Sequence, residues 1–147
     1  MYNWRLELIK TFESTGKNMW LKAIDHIQIT STPELEADMR FFYGQVLGLP
    51  EIPKPASLQG VSGWYQLGNT QVHIGTEPEI PNIPSRRHIA FEVENLGTFR
   101  EHLETLNVDI IPDRQPLTNC DRFFFARPCW QSSRDSCIPL ISLSYDT

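Results

Sequence analysis

Three of the four histidines stand at matching places in a repeated pattern. His26 lies in an alternating segment, residues 23–30, and His88 lies in a second such segment, residues 87–94, at a spacing of 62 (88 − 26). His73 lies in a third alternating run. Each histidine occupies the polar parity of its run, with Ile27, Val72 and Ile74, and Ile89 pointing the other way. Neutral imidazole is a common ligand for zinc, iron, nickel and copper, and two histidines with one carboxylate make a facial triad with open positions. Strand parity alone is weak evidence for a metal site and favours surface or satisfied core histidines. His102 shows the second kind: it sits between Phe99 and Leu106, off the apolar stripe of a helix, and is expected to be solvated.

The elements that must position these side chains can be read around them. In residues 23–30, Asp25, Ile27 and Ile29 share one face while His26, Gln28 and Thr30 share the other, the pattern of a half-buried strand. Ser31, Thr32 and Pro33 then supply cap and first-turn residues, with Glu34 placed for a capping box on Ser31. Leu35, Met39, Phe42 and Val46 follow at helical spacing, and Gly48 ends the helix. Residues 51–59 read as an irregular edge strand or loop. Residues 61–67 and 70–75 flank Gly68-Asn69, a tight-hairpin signal. That turn places Leu67 opposite Thr70, Gln66 opposite Gln71, and Trp64 opposite His73. Directly opposed residues share a face, so Trp64, Gln66 and Gln71 are expected beside His73 as substrate-binding groups.

After a proline-bearing linker at 76–85 the plan restarts. Ile89, Phe91 and Val93 form the apolar face of the next strand, Leu96, Phe99, Leu103 and Leu106 the next helical stripe, and residues 108–112 and 122–125 further strands. Strand, helix and three strands, twice over, describe an internal duplication in which each half alone leaves a sheet face exposed. The segment 1–22 has no clean period and is expected to be an extension. Met19 as the natural start and a genuine N-terminal helical arm are both consistent with it.

At 147 residues the chain can bury one core or two small modules sharing one. Its net charge of −5 argues against nucleic acid or an anionic membrane as partner. No apolar run reaches the roughly 18 residues of a membrane span, and the N-terminus lacks a signal-peptide pattern, so a cytoplasmic location is expected. Cys120, Cys129 and Cys137 are odd in number and lack a CxxC, as expected for ordinary thiols.

These pieces together resemble the vicinal oxygen chelate superfamily, which includes glyoxalases, bleomycin-resistance proteins and extradiol dioxygenases. The resemblance is carried by residues 25–29 (DHIQI), 41–49 (FFYGQVLGL), 71–75 (QVHIG), 87–93 (RHIAFEV) and 122–125 (RFFF), in that order, across residues 23–128. It implies an α+β fold of two βαβββ modules forming a cupped mixed β-sheet, module one over 23–77 and module two over 86–147. It implies that His26 and His88 are metal ligands and that His73 occupies a third ligand place, holding iron, manganese, zinc or nickel. Glyoxalase-type isomerases usually carry a proton-transferring glutamate where His73 stands, so this departure lowers the isomerase reading. The implied activity is that of a metal-dependent dioxygenase, lyase or transferase on a small substrate with vicinal oxygens, in a chain that closes its cup alone or as a homodimer. The alternative within the same resemblance is a metal-free small-ligand-binding protein.

One family ligand is missing. A carboxylate is expected in the last strand, within a motif like RDPxGNxxE, but Arg134 stands at that place. Back-translation one base out of frame restores it. Trp130 is encoded only by TGG and a glutamine codon begins with C, so the shifted triplet is GGC, glycine. Permitted codons for residues 127–135 then read Asp-Pro-Ala-Gly-Asn followed by Arg-Val-Glu. The expectation is a tail from Ala126 that is out of frame and a domain deprived of its C-terminal carboxylate; a divergent C-terminus is the alternative.

Overall fold

The computed structural model describes residues 21–58, 61–79, 88–115, 117–118 and 120–128, and the backbone of 139–145. The alternation around His26 forms β1 (His26–Ser31), with Ile29 and Ser31 buried and His26 and Gln28 exposed. A 3-10 turn (Pro33–Leu35) leads into α1 (Glu36–Phe41), which continues as a π-helical turn (Phe42–Val46) and stops at Gly48, whose φ of +70° suits glycine. The expected capping box does not form. Thr32, not Ser31, is the N-cap, no side chain caps it, and Ser31 belongs to β1 and is buried.

The π-helical turn widens the helix by one residue and changes what it buries. Tyr43 joins Met39, Phe42 and Val46 in the core, although only the latter three follow the helical stripe. The β2 (Val61–Leu67) and β3 (Thr70–Thr76) hairpin has the expected register, Trp64 opposite His73 and Gln66 opposite Gln71, with its irregularity confined to the far end at Val61 and Gly63. β1 pairs with β3 in parallel, giving the sheet order β1-β3-β2. Residues 50–52 extend it without forming a full strand: Glu51 bridges Tyr65, and the Ile52 amide donates to the Trp64 carbonyl at 2.8 Å.

The second half repeats this plan. β4 (Ile89–Glu92) is followed by α2 (Leu96–Thr105), β5 (Ile110–Pro112), β6 (Cys120–Ala126) and β7 (Pro139–Tyr145). Asn95 caps α2, its side chain accepting from the Thr98 amide at 2.9 Å. The sheet order is β4-β7-β6-β5, with β4 and β7 parallel and the other pairs antiparallel. First strand beside last strand, in parallel, is therefore the rule in both halves.

The two apolar sides meet in one core. Ile29, Phe42, Val72 and Ile74 from the first half share it with Leu103, Phe123 and Phe125 from the second, and the Phe42 and Phe125 rings lie 6.4 Å apart. His102 is exposed, as expected, but it is not without a role. Its Nε2 donates to the Val46 carbonyl at 2.8 Å, tying α2 to a carbonyl that the end of the first helix leaves over. The N-terminal extension as far as residue 20, most of the linker (80–87), Arg134, and Cys129 and Cys137 lie outside the described residues; Cys120 is buried and unbridged.

Candidate metal and substrate cup

The polar face of the first sheet gathers four of the expected site residues. His26 and His73, from adjacent parallel strands, stack with ring centroids 4.5 Å apart and planes 17° from parallel. Trp64 meets His73 edge to face at 4.0 Å. Gln71 stands between them, its Oε1 accepting from Trp64 Nε1 at 2.6 Å and contacting His73 Nε2 at 3.0 Å. The His26 ring is roughly half exposed, while His73 is only 5% exposed although it lies on the polar parity. Its neighbours on that face cover it.

Asp25 was expected on the apolar parity of its strand, and its part in this cluster was missed. Its carboxylate, itself exposed, holds His26 Nδ1 at 2.8 Å. A carboxylate on one ring nitrogen leaves the other with its lone pair, the arrangement found behind metal-ligating histidines. The adjacent Asp-His pair in the sequence was the available signal. Burial, and then the neighbouring His26, push the His73 pKa below its ordinary 6.5, with Asp25 pulling weakly the other way. His73 is thereby kept neutral, as a ligand must be.

Two expected members do not join. The Gln66 amide donates to the Gly68 carbonyl at 2.7 Å and the Thr70 carbonyl at 3.4 Å, so it serves the hairpin turn. His88 is exposed just before β4. Among the described residues no three histidine, cysteine or acidic side chains are arranged to hold one ion, so His88 does not meet His26 and His73 within the chain. As donors the carboxylate-backed His26 and the neutral His73 are of a kind that fits a divalent metal, but two imidazoles alone do not complete a site.

No protein-family model matches the chain. Among curated proteins, Glyoxylase I 4 of Arabidopsis thaliana is 26% identical over 106 residues, covering 67% of this chain. The chain spans 60% of that protein's length. Among solved structures, a glyoxalase family protein from Bacillus anthracis superposes with a TM-score of 0.72 at 28% identity, covering 88% of this chain and all of that one. These similarities support the vicinal oxygen chelate superfamily for this chain. Its duplicated α+β architecture is the glyoxalase/bleomycin-resistance/dioxygenase fold. That fold also serves binding: TnmS3, an antibiotic binding protein from Streptomyces, covers 88% of this chain with a TM-score of 0.62 at 10% identity. Likeness to the superfamily therefore leaves the chemistry to be argued from the site.

Proposed function

We propose that this chain is a metal-dependent domain of glyoxalase/dioxygenase type that binds a small substrate through vicinal oxygens and works as a homodimer. In this reading His26 and His73 of one copy meet His88 of a second copy. The observation that carries it is the cluster of Asp25, His26, His73, Gln71 and Trp64 on one polar face, with His73 held neutral by burial. Support for the dimer comes from the core: both modules turn apolar faces into one interior, and a second copy would bring a polar face carrying His88 opposite His26 and His73.

A bound divalent ion supplies Lewis acidity toward a carbonyl, enediolate or catecholate. The chain's own residues do the rest. Trp64 has its indole N–H committed to Gln71, so it offers ring surface for packing a planar substrate. Gln71 directs its oxygen inward to Trp64 and His73, which leaves its amide nitrogen as the hydrogen-bond donor for a substrate oxygen. His73, where an isomerase carries a proton-shuttling glutamate, is a neutral imidazole with one nitrogen already engaged. This favours oxygen chelation over proton transfer from carbon.

The set lacks a carboxylate, so metal is held weakly. Titration of the full chain with Zn2+ is expected to show weak, saturable binding that His26→Ala abolishes. Absence of binding to the unmodified chain would overturn the metal reading. It would leave the cup as a metal-free ligand site, a role that the ungathered donors among the described residues also fit.

A further inference from the structure

Each of the two stacked imidazoles has one ring nitrogen against a group that can only accept, and it is a different nitrogen in each. An indole N–H can only donate, so the Gln71 atom 2.6 Å from Trp64 Nε1 is the amide oxygen. That oxygen can only accept, so the His73 nitrogen 3.0 Å from it, Nε2, bears the proton. A carboxylate likewise only accepts, so His26 Nδ1, 2.8 Å from Asp25, bears the other. We propose that Trp64, Gln71 and Asp25 are positioning residues that lock opposite neutral tautomers on the stacked pair, leaving the lone pair on Nε2 of His26 and on Nδ1 of His73.

The chain of constraint runs one way. Trp64 fixes the orientation of the Gln71 amide, and the amide fixes the His73 proton. Without the indole the amide can turn and offer its NH2 to the same nitrogen, which reverses the tautomer. Asp25 acts on His26 alone. The sheet register makes this arrangement inevitable once the side chains are present: β1 pairs His26 with Gln71 and Gln28 with His73, and β2 pairs Trp64 with His73. Asp25, just before β1, with Gln71 on β3 and Trp64 on β2, thus reach the two rings across neighbouring parts of one sheet. The consequence for metal binding rests on the function proposed above; the proton positions do not. It predicts that a metal meets His26 through Nε2, and that His73 either ligates through Nδ1 or first gives up Gln71.

Long-range 1H–15N correlation spectra of the metal-free full chain, at mildly alkaline pH, read the tautomers directly. Free neutral imidazole favours a proton on Nε2, so the expected Nδ1 proton on His26 is diagnostic. Asp25 is exposed, so Asp25→Ala leaves the core intact, and it should return His26 to the ordinary mixture while His73 stays unchanged. The His73 Nε2 proton should be protected from exchange in the unmodified chain and in Gln71→Glu, which keeps an acceptor, and should lose protection in Gln71→Leu. A second arm titrates the same proteins with Zn2+, where Asp25→Ala should weaken binding roughly 10- to 100-fold. A His26 proton on Nε2 in the unmodified chain, an Asp25→Ala spectrum identical to it, or an unprotected His73 proton would overturn the proposal. The expected proton positions with no Zn2+ binding in any protein would uphold it and defeat the metal reading instead.

Discussion

His73 is held neutral by burial beside a second imidazole, and this has a consequence for stability. Its folded pKa lies below the ordinary 6.5, so on acidification the unfolded chain takes up a proton first. Stability is therefore fully present above 6.5 and is lost as pH falls through the folded value. Melting temperatures of the metal-free protein should decline over that interval, and His73→Gln should flatten the decline. Two buried tyrosines give a paired prediction. Tyr43 is fully buried, its hydroxyl has no hydrogen-bond partner among the described residues, and burial pushes its pKa up to about 12. Tyr65 is equally buried, but its hydroxyl donates to the Arg40 carbonyl at 3.1 Å. Tyr43→Phe should leave stability unchanged or raise it, whereas Tyr65→Phe should cost about 1 kcal/mol, both read by urea denaturation.

At the scale of elements, Tyr65 also explains two glycines. A Cβ on Gly63 would lie 2.8 Å from the Tyr65 ring and one on Gly44 would lie 3.2 Å from it, so the ring runs between β2 and the helix where only glycine leaves room. Gly63→Ala should destabilise by roughly 1–3 kcal/mol in the same assay, and more than Gly44→Ala. These elements were legible in the sequence to different depths. The parity of His26 and the register of Trp64 against His73 follow from period-two alternation and a Gly-Asn turn, which are local signals. The π-helical turn that brings in Tyr43, the recruitment of the Gln66 amide by its own hairpin, and the His102 tether to Val46 each depend on a partner that only folding supplies. β7 marks the other limit. Its backbone pairs with β4 and β6 as a last strand should, yet residues 139–145 contain no acidic side chain. Replacing the tail after Ala126 with the ending read one base out of frame should raise both melting temperature and Zn2+ affinity. Equal values for the two chains would make the present tail a genuine C-terminus.

The described residues form two copies of one plan joined through a single core. The described helices include none long and apolar enough to cross a membrane. His102 and the contact between Phe42 and Phe125 hold the halves together, and in the reading proposed above each polar side would then present half a cup. The duplication was visible in the 62-residue spacing of His26 and His88. That His26, His73 and His88 form no three-donor group among the described residues was not, because spacing says nothing of which way two sheets face. Coexpression of a His26→Ala chain with a His88→Ala chain, followed by Zn2+ titration, tests the account most directly. Each variant alone should fail to bind, and the mixed dimer, which contains one intact cup, should recover binding at a fraction of the sites. A mixture no better than either variant alone, or a His88→Ala chain with unimpaired affinity, would contradict it.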